Sequence, residues 1–218
     1  MSDNITFEDC FVAFLDILGV KKLLDKIAKD EELAKNMIDA LKINTKFGNI
    51  KETSMHGNLS IRSFYFSDSF AFIMKKEKHN LPHLFLIIRF LQDRFWEKGF
   101  CFRGAITIGN MYWPEGEENI LLGEGIVKAY CLESEVAIYP RIIISDDLFK
   151  FIEDESIDGY PLTKDNTKLK NVIIKDKDGI YFLDLLNTSI LRPNGEKIVE
   201  NNRKFSIIWN VENESKYE

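Results

Sequence analysis

Two aspartates stand where the apolar pattern of the chain breaks. Asp16 ends the run CFVAFLD, and Asp68 lies between SIRSFYF and SFAFIMK, in the dipeptide Ser67–Asp68. The flanking runs are apolar and aromatic enough to be strands, and two residues suit the tip of a tight hairpin. A lone aspartate after a strand is ordinarily a turn former or a helix cap. If the first strand pairs with the hairpin near the sheet centre, however, both carboxylates emerge at one edge, within reach of a shared ion. Hard oxygen donors of this kind suit Mg²⁺ or Mn²⁺, which also keep bonds to phosphate oxygens. Three residues after Asp16, Gly19 lets the chain turn sharply into a helix whose first backbone N–H groups can cradle a polyphosphate.

These groups need a sheet with helices packed on it. After Gly19, VKKLLDKIAK has the three-and-four apolar spacing of an amphipathic helix, and a second helix is expected from about Glu31 to Thr45. GNIKETSMHGNL, with two glycines and little periodicity, reads as a loop. Beyond the hairpin, LPHLFLIIRFLQDRFWEKG suits a long helix, with Pro82 near its first turn and Gly99 at its end. CFRGAITIG reads as a strand, WPEGEEN as a polar insertion, and Gly123 opens the helix EGIVKAYCLESEVA. RIIIS is a short strand after Pro140, and Ser145 with Asp146 and Asp147 starts a helix over DDLFKFIED. NVIIKD and GIYFLDL are the last strands that the pattern predicts.

The order βα(α)–ββ–α–β–α–β predicts an α+β fold, a ferredoxin-like βαββαβ core with added strands and helices. The strand–Ser-Asp–strand hairpin argues against a doubly wound sheet. The 17 Phe residues gather in the first half, which is therefore expected to carry most of the core. At 218 residues the length suits one well-buried domain, expected over 1–186, with 187–218 as an extension of it. Its FSIIW segment reads equally as a strand or an interface patch.

Composition removes several function classes. A net charge of −6 and a pI near 5.3 disfavour a nucleic-acid surface, which needs a basic patch. No apolar run is long enough for a membrane helix, and MSDNITFEDC lacks the features of a secretory signal. Cys10, Cys101 and Cys131, an odd number without CxxC spacing, fit a reducing cytoplasm and offer no zinc site. His79 and His83, four apart, read as surface residues because no third soft ligand is near them in sequence.

Several of these segments resemble the motifs of class III adenylate and guanylate cyclases. FVAFLDILG resembles their first metal motif, YFSDSFAF their hairpin with Gly-Asp at the tip, and FRGAITIG their Arg-x-Gly-Ile-x-x-Gly strand, matched at Arg103 and Gly109. GEGIVKAYCLES resembles the helix Gly-Asp-x-Val-Asn-x-Ala-Ala-Arg-Leu-Glu-Ser, and PRIIIS and GIYFLDL resemble the last strands of that domain. The motifs are collinear over roughly residues 8–186. The resemblance implies two Mg²⁺ or Mn²⁺ ions held by Asp16, Asp68 and the Ile17 carbonyl. It also implies a nucleoside triphosphate over Ile17, Leu18 and Gly19, cyclised to a 3′,5′-cyclic monophosphate and pyrophosphate, and a homodimer whose helix at 124–134 completes the partner's site. The spelling FLDILG, SDS, RGAI and KAYCLE also resembles the compact bacterial cyclases of Pycsar anti-phage systems, which make cyclic UMP or cyclic CMP.

The chain departs from the family at informative places. Val127 stands at the position of the ribose-orienting Asn and Cys131 at that of the transition-state Arg. Neither donates a charge-assisted hydrogen bond, a loss worth a factor on the order of 10² or more. Arg103, Lys128, Arg62 and Arg141 are the cations that can take over, and Arg103 and Lys128 join Asp16 and Asp68 in the expected catalytic set. Phe64 and Ile120 occupy the base-reading positions held by Lys and Asp in adenylate cyclases, which leaves the base open between a pyrimidine and none. Two alternatives remain: a cyclase-like nucleotide-binding or interaction module without catalysis, and a palm-type nucleotide polymerase such as a cyclic-dinucleotide synthase.

Overall fold

The computed structural model describes residues 5–44, 51–54, 57–114, 119–160, 162–163 and 167–186. In chain order the elements are β1 (Phe7–Ile17), α1 (Val20–Ile27), α2 (Glu31–Asn44), β2 (Lys51–Ser54), β3 (Gly57–Phe66), β4 (Ser69–Lys75), α3 (Asn80–Glu97), β5 (Phe102–Tyr112), α4 (Glu124–Glu135), β6 (Ile142–Ile144), α5 (Asp146–Asp154), a 3₁₀ turn (Leu169–Val172), β7 (Ile173–Lys175) and β8 (Tyr181–Leu183). The strands pair in the order β2-β3-β4-β1-β5-β6-β8-β7. Every pairing is antiparallel except that of β5 with β6. The fold is thus α+β with a mixed sheet.

The apolar run of β1 follows from its place at the middle of the sheet, where both faces are covered. Phe11, Ala13, Leu15 and Ile17 enter the larger core, with residues of α2, α3 and α5. Cys10 and Val12 enter a smaller core with Ala129 of α4. Alternation along the strand therefore puts Asp16 on the α4 face. The buried phenylalanines (Phe11, Phe64, Phe70, Phe72, Phe85, Phe95, Phe100 and Phe102) all fall in the first half, as the sequence predicts.

Three of those rings brace the strand ends that matter for the site. Phe102 lies 4.4 Å from Phe95 and 5.2 Å from Phe70, ring centre to ring centre. Gln92 of α3 accepts the Phe102 backbone N–H at 3.2 Å. Each buried ring contributes about 1.5–3 kcal/mol, and edge-to-face pairing adds about 0.5–1.5 kcal/mol. The ends of β1, β4 and β5 are accordingly held on a rigid aromatic base.

One segment departs from the sequence pattern. KETS and the residues from Gly57, read as loop, form β2 and the start of β3, paired from Lys51↔Ser60 to Ser54↔Gly57. A short polar strand at a sheet edge is built by its backbone ladder and carries no apolar alternation to read. At the other end of the chain, the fully buried Arg89 of α3 donates to the Leu185 carbonyl and pairs with Asp93 at 2.7 Å, tying the end of the described chain to the core. FSIIW and the rest of 187–218 lie outside the described residues. Among those described, no helix is long and apolar enough to cross a membrane.

Backbone-to-backbone contact seats α4 on the sheet. A Cβ added at Gly109 of β5 would stand 2.4 Å from the Gly125 Cα of α4, and Gly123 bridges to Met111. A methyl group there has no flexible neighbour to push aside. Gly109→Ala is therefore expected to lower stability by about 2 kcal/mol or more in urea unfolding. A change under about 0.5 kcal/mol would show that α4 does not depend on this contact.

Candidate functional site

β1 brings the groups together through its two registers. Asp16 pairs with Ser69 of β4 on one side and with Arg103 of β5 on the other. The Ile17 N–H donates to the Asp68 carbonyl at 3.1 Å, which fastens the hairpin tip to the end of β1. Ser67, the first tip residue, has φ 54°, while Asp68 is not among the positive-φ residues. That sign pattern belongs to a type II′ hairpin turn, whose first position favours Gly. Ser67 therefore holds a left-handed backbone that costs roughly 1–2 kcal/mol beside the Asp68 carboxylate.

Electrostatics link the two acids. Burial pushes the Asp16 carboxyl above its usual range, and the neighbouring Asp68 charge pushes it further. Ser69 Oγ, donating to Asp16 Oδ1 at 3.1 Å, and Arg103, 3.6 Å from Oδ2, pull in the other direction without overcoming burial. A third carboxylate stands behind Arg103: Glu133 Oε1 of α4 forms an ion pair with its Nε at 2.6 Å, and Glu133 is 2% exposed. Burial raises Glu133 as well, offset in part by Arg103 and reinforced by Asp16. Asp16, Asp68, Glu133 and Arg103 thus form one electrostatic cluster at the sheet rim.

Asp16 and Asp68 repel each other, and no ion pair or hydrogen bond engages the Asp68 carboxylate among the described residues. Two carboxylates short of a counter-charge fit Mg²⁺ or Mn²⁺, which take few protein ligands and fill the remainder from water and phosphate. Among the described residues there is no group of three or more His, Cys, Asp or Glu placed to hold a metal without such help.

The expected nucleotide-binding turn is present but uses its donors differently. The N–H groups of Ile17 and Leu18 are spent on the Asp68 and Cys101 carbonyls, the latter at 2.9 Å. They anchor the turn, and the first turn of α1, which has no side-chain cap, is the remaining source of donors. Gly19, at φ 79°, makes the left-handed entry to that helix. Phe64 is 5% exposed and packed with Ala71 and Ile73 in the smaller core, whereas Ile120 faces solvent. The structure does not bring these two together in one core cluster.

Of the four candidate cations only Arg103 reaches the carboxylates. Lys128 Nζ pairs with Asp147 at 2.5 Å and donates to the Ile108 carbonyl at 3.3 Å. Ile108 is five residues along β5 from Arg103, roughly 17 Å at the rise of a strand. Arg62 donates to the Pro114 carbonyl at 2.9 Å and lies over Trp113, and Arg141 clasps Asp176 and Asp178. Sequence reasoning missed Ser69 and Glu133, and also Tyr130, whose ring meets Phe14 edge-on at 5.5 Å. Glu133 lies inside the Leu-Glu-Ser motif, the one signal that marks it.

The sign of the pH dependence follows from the raised carboxyls. The folded state binds the Asp16 and Glu133 protons more tightly than the unfolded chain. These groups therefore lower stability as pH rises from about 4 through their raised values. Asp16→Asn is expected to raise Tm near pH 7 by more than it does near pH 4 in thermal unfolding. An equal shift at both pH values would contradict the assignment.

No model of a known protein family matches the chain, and no curated protein matches it. Among solved structures the chain is similar to the crystal structure of an adenylate/guanylate cyclase/hydrolase from Silicibacter pomeroyi, with 16% identity and a TM-score of 0.40, over 82% of this chain and 97% of that one. At that identity and score the likeness decides neither reaction nor substrate.

Proposed function

We propose that this chain is a divalent-metal-dependent nucleotidyl cyclase of the class III palm type, acting as a homodimer on a nucleoside triphosphate. The observation that carries this reading is the closeness of Asp16 and Asp68 at one rim, where the Asp68 charge opposes ionisation of Asp16. The strand order β3-β4-β1-β5 supports it, since a βαββαβ palm places its first strand between the hairpin and the last strand. So does the motif order from FLDILG to GIYFLDL.

Asp16, Asp68 and the Ile17 carbonyl would hold Mg²⁺ or Mn²⁺. Bound there, the ions supply charge neutralisation and acidify the ribose 3′-hydroxyl. The first turn of α1 binds the polyphosphate through backbone N–H groups. Arg103, the candidate cation that lies beside Asp16, would supply positive charge to the site in the absence of a family Arg on α4. In the reaction the 3′-oxygen bonds to the α-phosphorus as the bond to the pyrophosphate oxygen breaks.

The exposed apolar surface of α4 and its approach supports the dimer. Leu122 is 54% exposed, Val127 61% and Tyr130 54%, apolar side chains that a dimer interface would cover. A pyrimidine substrate and an anti-phage setting in the cytoplasm are supported by the motif spelling. The reading of a binding module without turnover is favoured by Val127 and Cys131 on α4.

Incubation with ATP, GTP, CTP and UTP in Mn²⁺, followed by product mass, tests the proposal. The wild type is expected to yield a cyclic mononucleotide and pyrophosphate, and Asp16→Ala to lower the rate on the order of 10²-fold or more. Folded dimer with no cyclic product would leave the binding module, and a cyclic dinucleotide would leave the polymerase. Val127→Asp is expected to turn the dimer into a monomer in sedimentation. A wild type that already sediments as a monomer would remove the dimer.

A further inference from the structure

Arg103 stands between two carboxylates that differ in kind. Its Nε lies 2.6 Å from Glu133 Oε1, and its Nη2 lies 3.6 Å from Asp16 Oδ2. The planar guanidinium offers separate edges, so one cation serves both acids at once. The Glu133 side chain is 3% exposed, against 21% for Asp16. A charge buried that deeply must keep its partner, whereas a carboxylate at the rim can exchange one cation for another. The tight contact is therefore the permanent one and the looser contact is the one that yields. Arg103 thus balances part of the charge that Asp16, Asp68 and Glu133 bring to the cluster.

We infer that Arg103, clamped by the buried Glu133, is the built-in counter-cation of Asp16 in the metal-free chain and is displaced toward Glu133 when a divalent ion binds. Glu133 is then a positioning residue: it acts on the metal through Arg103 and sets how strongly Arg103 competes. Its reach depends on the seat of α4 against β5, where Gly109 meets Gly125. The inference rests on the metal-binding reading proposed above. It assigns to Glu133 a task that the two aspartates cannot perform for themselves, since both share the charge that has to be balanced.

Mn²⁺ titration by calorimetry on the full chain distinguishes this from a purely structural ion pair. Glu133→Gln releases Arg103 onto Asp16 and is expected to weaken Mn²⁺ binding roughly tenfold, the scale of one nearby charge in a partly screened site. The double variant Arg103→Gln/Glu133→Gln removes the competitor without leaving a buried unpaired charge, and is expected to bind Mn²⁺ more tightly than wild type by a similar factor. Opposite directions are the signature, and unchanged affinity in both overturns the inference.

A thermal double-mutant cycle in chelator reads the contact without metal. Asp16→Asn in wild type and in the double variant should differ by about 2–4 °C in their effect on Tm. Zero coupling overturns the inference and leaves the metal-binding reading standing. Coupling in a chain that takes up no Mn²⁺ overturns the metal-binding reading, and the displacement with it.

Discussion

Asp16 meets Ser69 on one side and Arg103 on the other because β1 pairs in a single register with β4 and β5. A slip of one residue would carry Asp16 to the opposite face, into the larger core, and Leu15 to the rim. The hydrophobic pattern of β1 forbids that slip, since Phe11, Ala13, Leu15 and Ile17 all have partners on the helix-covered side. Stability and chemistry thus depend on the same register. The aromatic base of Phe70, Phe95 and Phe102 lies under the end of the strand where the carboxylates emerge.

On that base the molecule keeps an unfavourable charge arrangement. Burial and the Asp68 charge both oppose ionisation of Asp16, and the Ser69 hydroxyl and the Arg103 guanidinium do not fully offset them. Ser67 adds backbone strain at the same corner. Strain and like charge concentrated at one rim are features that accompany ligand sites, and they support the proposed reading. Among the described residues several other charged groups are matched: Lys128 with Asp147, Arg141 with Asp176 and Asp178, Arg89 with Asp93. Those pairs hold the fold.

The strands and helices that carry the site were readable because their signals are local. β1 is a continuous apolar run ending in Asp, the hairpin is two such runs around Ser67–Asp68, and α3 is bracketed by Pro82 and Gly99. The polar β2 gave no such signal, because only its backbone ladder makes it a strand. Of the cluster at the rim, Asp16, Asp68 and Arg103 were readable. Glu133 was not, since its link to Arg103 spans thirty residues and exists only once α4 lies on β5. Lys128 misled for the matching reason: its partner Asp147 comes from the next helix, and no spacing rule reveals the pair. Phe64 reads as a base-facing residue by position and is packed into the core instead.

On the proposed reading, Asp16 at the end of β1 and Asp68 at the β3–β4 hairpin tip hold one cation. Electron spin resonance of Mn²⁺ titrated with the protein tests it directly, because the free-ion signal falls as the ion is bound. Wild type is expected to quench that signal, Asp16→Asn and Asp68→Asn each to abolish the quenching alone, and the double variant to be no worse than either. Two single variants that each keep part of the binding, with losses that add in the double, would mean separate sites and would contradict the account.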